Sequence, residues 1–167
     1  QNSIYLAKLG AACAAIDISP GQIEHARKLA DDNNVDINLH CGPLEDAESW
    51  PKEQFDLVHS VFALPFVENP EAFIQHAARA VAPGGSLVLA TGHPVFAAEW
   101  LEIEDNEMGV FLPSYFTPPE DLRQTADGHI IGSSAYPIST VSEWIHAAGL
   151  RNLRIWEPRP LPLESIT

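Results

Sequence analysis

The chain has 167 residues, enough for one domain with a buried core. Its 23 acidic and 9 basic residues give a formal net charge of −14 and a pI of about 4.6. This balance argues against a partner that needs a basic face, such as a nucleic acid or an anionic membrane, and no apolar run reaches the roughly 18 residues of a membrane span.

A short helix opens the chain and an apolar strand follows it. Asn2 or Ser3 can cap the helix and Gly10 can end it. The apolar run 11–17 does not alternate, which is typical of a strand buried on both faces, and it ends in Asp17. Open α/β sheets bind ligands at the carboxyl ends of their strands, where a carboxylate can accept hydrogen bonds from ribose hydroxyls. Asp17 is therefore the first candidate residue of a nucleoside-cofactor site.

The second helix has a strong start signal. Ser19 is the expected cap, Pro20 takes the first helical position, and Gln22 completes a capping box. The helix is expected to end before the pair 33–34, and the alternating run 35–40 predicts the next strand.

The middle of the chain repeats this order. Residues 55–61 predict a strand, and Asn69 with Pro70 predicts the start of a helix. The turn 83–85 is expected to end that helix, and a buried strand is predicted over 86–91.

The last part of the chain is less regular. Residues 92–134 lack periodicity and are rich in aromatic, proline and acidic residues, which favours a functional lid or an insertion. A helix is predicted from Thr140, with Glu143 as its capping-box partner and Gly149 after its end, and 153–156 predicts a last strand.

Strands that alternate with helices predict an α/β fold with a doubly wound, mostly parallel sheet in one domain, residues 1–167. Because the chain opens inside a helix, we expect the sheet's first strand to be absent from this sequence. Cys13 and Cys41 fall in strands predicted to be interior, which favours reduced, buried thiols and a cytoplasmic protein whose acidic surface keeps it soluble.

Five motifs in this order and spacing resemble a class I S-adenosylmethionine-dependent methyltransferase that acts on small molecules. They are the helix at 1–7, the acid Asp17, the loop 41–46, the strand 55–60 and the turn 81–87. The resemblance implies S-adenosylmethionine as cofactor, Asp17 on its ribose, and a glycine-rich loop that lies outside this sequence.

The resemblance also implies the remaining cofactor contacts. Ile18, Leu44 and Glu45 would bracket adenine, although Pro43 stands where the family often has an aspartate, so Glu45 or Asp46 would have to meet the amino group. The full set of implied cofactor-binding residues is Asn2, Asp17, Ile18, Ser19, Leu44, Glu45, Ser60, Val61 and Phe62.

His93 directly follows the strand 86–91, at the edge that faces the site in this topology. It is the candidate general base or acceptor-positioning residue; the alternative is that it braces the lid. Trp100, Tyr115 and Phe116 are expected to form an aromatic wall for the substrate, or else the lid's own core.

The acidic residues between 99 and 107 are typical of a solvent-exposed face, so we expect no metal site. The expected function is methyl transfer to an oxygen or nitrogen of a small-molecule acceptor. An NAD-dependent oxidoreductase, which also places an acid on a ribose, and a non-catalytic methyltransferase-like binding subunit remain open alternatives.

Overall fold

The computed structural model describes residues 1–97, 99–103 and 107–156. Short 3₁₀ turns connect some of the elements. The helices are α1 (Asn2–Lys8), α2 (Pro20–Asp32), α3 (Pro70–Ala80) and α4 (Ile138–Ala147). The strands are β1 (Cys13–Asp17), β2 (Ile37–Cys41), β3 (Phe55–Val61), β4 (Val81–Ala90), β5 (Glu99–Glu102), β6 (Met108–Phe111), β7 (Asp121–Gln124) and β8 (Ile130–Ser133).

Side-chain caps begin the two central helices, as predicted. The Ser19 Oγ accepts a hydrogen bond from the Gln22 N–H at 3.4 Å, and Pro20 is the first residue of α2. The Asn69 Oδ1 accepts from the Ala72 N–H at 3.0 Å before α3. Each cap satisfies an N–H that the helix itself leaves unpaired.

The outer helices begin differently from the prediction. The residue before α1 is Gln1, without a side-chain cap, so Asn2 and Ser3 are helical rather than capping. Helix α4 follows Pro137, so the capping box predicted at Thr140 is wrong. Pro137, whose φ is −55°, precedes α4 without a side-chain cap.

Strands β1 to β4 form two parallel pairs. Strand β1 pairs with β2 from Cys13–Ile37 to Asp17–Cys41, and β3 pairs with β4 up to Val61–Ala90. Within the part of the chain that the structure describes, these pairs are separate two-stranded sheets, and no hydrogen-bonded ladder joins β1 to β3. The α/β content and the parallel pairing of β1–β2 and β3–β4 are as predicted, whereas a single doubly wound sheet over all the strands stays a prediction.

Strand β4 is longer than predicted because it begins at Val81 instead of Ser86. Phe55 pairs with Val81, and the register then shifts before Leu57 pairs with Ser86. The shift accommodates the glycine turn. A Cβ at Gly85 would lie 2.8 Å from the Asp56 carbonyl oxygen, so only glycine fits against the neighbouring strand.

The core lies between one face of the β3–β4 pair and two helices. Its fully buried members are Leu64, Phe73, Ile74, Ala77 and Val141, and Val58, Leu87 and Leu89 of the sheet pack against them. Leu57, Val61 and Val88 are exposed instead. Both helices turn apolar residues toward this cluster, Phe73, Ile74 and Ala77 from α3 and Val141 from α4.

One expectation for the end of the chain is wrong, and two hairpins there were not predicted. The irregular segment 92–134 contains two antiparallel hairpins, β5–β6 and β7–β8. The strand predicted over 153–156 is not formed. None of the helices in the described ranges is long and apolar enough to cross a membrane.

The two cysteines are free thiols in different environments. Cys13 is half-buried, and burial raises the pKa of its thiol. Cys41 is exposed, so the expected interior position is wrong for this residue. It is the last residue of β2, where its thiol faces the Ile18 carbonyl at 3.8 Å.

Candidate active site

Asp17 lies at the carboxyl end of β1, half-buried beside the start of α2. One carboxylate oxygen accepts a hydrogen bond from the Ser19 N–H at 2.8 Å, which fixes the side chain. The second oxygen takes no hydrogen bond from any residue in the described ranges and is available to a ligand. Asp17 also lines a cleft of about 390 Å³ between α1, β1 and α2.

The residues on either side of Asp17 have distinct surroundings. Ile18 is 68% exposed, so its side chain offers an apolar surface beside the carboxylate. Ser19 is occupied as the cap of α2. Asn2 is exposed on α1, where Gln1 and Ser3 line the Asp17 cleft.

The loop after β2 is held in place by hydrogen bonds to later parts of the chain. The Trp50 indole donates to the Leu44 carbonyl at 2.8 Å, and the Leu44 side chain packs on the core. The His76 ring lies 3.0 Å from the Glu45 carbonyl oxygen, and one Glu45 carboxylate oxygen accepts from the Glu68 N–H at 3.3 Å. One oxygen of Glu45 is thus engaged before any ligand binds.

The carboxyl ends of β3 and β4 meet at Phe62. Its N–H donates to the Ala90 carbonyl at 2.8 Å, and its backbone has a φ of +57°. Left-handed backbone is costly for a bulky L-residue, and such strain is concentrated at functional sites. Phe62 is nevertheless 58% exposed, so its ring is accessible to a ligand.

Two hydroxyls near this end of the sheet are buried and lack a partner. The Ser60 Oγ and the Thr91 Oγ1 make no hydrogen bond in the described part of the protein. A buried hydroxyl without a partner is costly, so both atoms suit a polar ligand group or a water molecule. Val61, between Ser60 and Phe62, is exposed.

His93 is exposed three residues beyond the end of β4. Its Nδ1 accepts from the Val95 N–H at 3.4 Å, and its Nε2 lies 3.4 Å from the Tyr115 hydroxyl. The two rings are 5.5 Å apart, and Phe116 packs edge-on against Tyr115 at 5.2 Å. Of the three expected aromatic residues, Tyr115 contacts His93 and Phe116 contacts Tyr115, while the Trp100 side chain lies outside the described residues.

The acidic run is described only in part. Glu104 and Asp105 lie outside the described residues, and Glu102 and Glu107 are exposed. No group of three His, Cys, Asp or Glu side chains that could hold a metal ion occurs within the described ranges.

Two features of the site could not be predicted from the sequence. Nothing in the local pattern marks Phe62 as left-handed, because such conformations normally belong to glycine or asparagine. The contact between His93 and Tyr115 joins residues 22 positions apart in the chain. The sequence signal for Tyr115 was its place among the aromatic residues of segment 92–134.

Comparison with known proteins identifies the family. A family model described as a methyltransferase domain matches residues 1–89. A ubiquinone biosynthesis O-methyltransferase of Xanthomonas oryzae is 34% identical over 86 residues, which cover 52% of this chain and 36% of that protein. A protein of the same description from Coxiella burnetii is 29% identical over 131 residues, covering 73% of this chain and 55% of that protein.

Comparison with a solved structure identifies the fold. The S-adenosylmethionine-dependent methyltransferase of Mesorhizobium loti matches with a TM-score of 0.64 at 22% identity, covering 83% of this chain and 63% of that chain. The fold is therefore the Rossmann-like α/β fold of such enzymes. The chain spans between 36% and 55% of the length of these curated relatives. Because the methyltransferase-domain match covers more than half of its residues, this chain belongs to the class I S-adenosylmethionine-dependent methyltransferases.

Proposed function

We propose that the protein transfers the methyl group of S-adenosylmethionine to a small molecule, and that residues 1–167 form a single domain holding the cofactor. The observation that carries this proposal is the Asp17 carboxylate, fixed by the Ser19 N–H at 2.8 Å with its other oxygen available. A carboxylate in this position can accept hydrogen bonds from the cofactor's ribose. Ile18 offers an apolar surface next to it for the adenine ring.

The remaining cofactor contacts follow the ends of the strands. Leu44 and the second carboxylate oxygen of Glu45 are proposed to border the adenine. Asn2 is proposed to border the entrance of the site beside α1. Ser60, Val61 and Phe62 are proposed to line the methionine part, where the buried Ser60 hydroxyl lacks a partner. These groups fit a ligand that is polar at its ribose and amino-acid ends and flat at its base.

Bound S-adenosylmethionine supplies a methyl group that its sulfonium already activates. The protein's main task is then to hold the acceptor in line with that methyl, since orientation can contribute most of the rate enhancement. His93, beyond the carboxyl end of β4, is proposed to act on the acceptor's side of the site. Segment 92–134, with its two hairpins, is proposed to be the lid that excludes water.

An oxygen acceptor is the first choice. The curated relatives are named as O-methyltransferases, and the exposed rings of Phe62 and Phe116 suit an acceptor with apolar surface. The free thiols Cys13 and Cys41 support a reducing compartment, consistent with a cytoplasmic enzyme.

Calorimetry and a turnover assay on the whole protein test this proposal. We expect S-adenosylhomocysteine to bind and NAD not to bind, and radiolabelled S-adenosylmethionine to label a hydroxylated small molecule. Binding of NAD alone would reject the methyltransferase function. Cofactor binding without methyl transfer across an acceptor panel would instead assign the protein as a binding subunit.

A further inference from the structure

His93 is held at both ring nitrogens. Its Nδ1 faces the N–H of Val95, two residues later, and its Nε2 faces the Tyr115 hydroxyl, each at 3.4 Å. A backbone N–H can only donate, so Nδ1 must be the acceptor of the first contact. A neutral imidazole carries one proton, and that proton is therefore on Nε2.

This tautomer determines the direction of the second contact. With its proton on Nε2, the imidazole donates to the oxygen of Tyr115. Neither ring nitrogen is then free to take a proton from an acceptor, because Nδ1 points to the backbone and Nε2 already carries one. The Tyr115 hydroxyl keeps its own proton, which it can donate elsewhere.

The Tyr115 ring is fixed on a second side as well. Phe116 packs against it edge-on, with ring centroids 5.2 Å apart and planes at 90°. Tyr115 is half-buried, whereas His93 and Phe116 are exposed. Its ring is thus held by His93 at the hydroxyl and by Phe116 at its face or edge, an arrangement that orients a polar group at little entropic cost.

We propose that His93 is a positioning residue that orients Tyr115, and that it is not the general base of the reaction. The kinetic consequence of this inference rests on the proposed function. In that function, Tyr115 is the residue of the pair that donates a hydrogen bond to the methyl acceptor. The arrangement of the two side chains itself can be tested without any acceptor.

The first experiment is NMR of the whole protein labelled with ¹⁵N-histidine, at a pH where the imidazoles are neutral. The His93 signals are identified by their loss in H93Q. We expect a protonated Nε2 and an unprotonated Nδ1, and a change of the Nε2 shift in Y115F but not in Y136F. Tyr136 is a matched control because its ring packs on Trp144, 5.1 Å away. A proton on Nδ1, or equal shifts in wild type and Y115F, would overturn the proposal.

The second experiment uses two substitutions that each preserve one nitrogen's role. Glutamine can present an N–H near the position of Nε2, and asparagine can accept near the position of Nδ1. With S-adenosylmethionine and catechol as the probe acceptor, Y115F and H93N should each raise the KM for catechol about three- to tenfold, the effect of one hydrogen bond. H93Q should have a KM for catechol close to that of the wild type, because it keeps an N–H near the position of Nε2. The pH profile of kcat should be the same in these variants as in the wild type.

The opposite kinetic result identifies a base. If H93Q and H93N lower kcat equally and both remove the inflection of its pH profile, His93 is the base and the proposal is wrong. If the wild-type protein neither binds S-adenosylhomocysteine nor methylates catechol, the proposed function fails, and the NMR result still decides how His93 and Tyr115 are arranged.

Discussion

The carboxylate of Asp17 has two different oxygens, and this difference can be tested. D17N keeps an oxygen for the Ser19 N–H but replaces the free oxygen with an amide donor. D17A removes both. Either change should weaken binding of S-adenosylhomocysteine by about 1.5–3 kcal/mol, since hydrogen bonds to a charged group are lost. Isothermal calorimetry measures the loss.

The control for this series is D56N. Asp56 is exposed near the amino end of β3, at the edge of the sheet opposite to the site, so D56N should leave the affinity unchanged. Equal affinity in wild type and D17A would show that Asp17 does not hold the ribose.

Phe62 should reverse the usual order of stability between alanine and glycine. Both substitutions remove the ring, but only glycine adopts a φ of +57° without the cost of about 1–2 kcal/mol that an L-residue carries there. We expect F62G to be more stable than F62A in urea denaturation. If F62A is the more stable variant, the backbone at Phe62 is not strained.

Phe66 is the matched control for Phe62. Its ring is 57% exposed, nearly the same fraction as that of Phe62 at 58%, but its backbone is not left-handed. F66G should therefore be less stable than F66A by about 0.5–1 kcal/mol, the ordinary cost of glycine.

At the scale of elements, the helix caps differ in their expected contributions. S19A and N69A each leave an N–H of a helix start without its partner, and each should cost about 1 kcal/mol of unfolding free energy. T140A should cost much less, because Pro137 rather than Thr140 precedes α4. Equal losses in all three variants would restore the capping box that the sequence predicted at Thr140.

The glycine turn within β4 is a second test of an element. A methyl group at Gly85 would meet three backbone oxygens, those of Phe55, Asp56 and Ala82, at 2.8–3.0 Å. G85A should therefore cost about 1–3 kcal/mol, as overpacking does. G92A is the control, since nothing lies within 4 Å of its Cβ position, and it should be near neutral in thermal unfolding. A neutral G85A would mean that the two strands are farther apart.

Helix starts were predictable where a side-chain cap and a proline stand next to each other. Ser19 with Pro20, and Asn69 with Pro70, start α2 and α3 as expected, because a cap and a proline act within one turn. Gly10 and Asn34, both left-handed, follow α1 and α2 for the same reason.

Strand pairing was less predictable because a strand also needs a partner. The run 153–156 has apolar residues but forms no strand, and the hairpin β7–β8 was missed although Asp127 and Gly128 mark its turn. In the candidate site, the position of Asp17 at the end of a strand could be predicted. The partner of His93 could not, since that contact depends on how the hairpin segment folds back.

For the whole molecule, the net charge of −14 makes salt a determinant of stability. In the described part of the chain, the salt bridge between two permanently charged side chains is Arg123–Asp121, and His129 Nε2 lies 3.5 Å from an Asp127 carboxylate oxygen, so most acidic side chains there have no paired cation. Repulsion among them opposes the compact state. Raising the NaCl concentration from 0.01 to 0.15 M shortens the screening length from about 30 to about 8 Å, and the melting temperature should rise. A melting temperature that falls or stays constant would show that this repulsion is negligible.

The separate parallel pairs, β1–β2 and β3–β4, have a consequence for the behaviour of concentrated solutions. Each pair leaves main-chain donors and acceptors along strand edges that no other described strand uses. A strand of a second copy can pair with such an edge, and repeated pairing gives ordered aggregates. A shared strong negative charge keeps approaching copies apart, so acid pH near 4.6, where that charge vanishes, is where precipitation should be fastest.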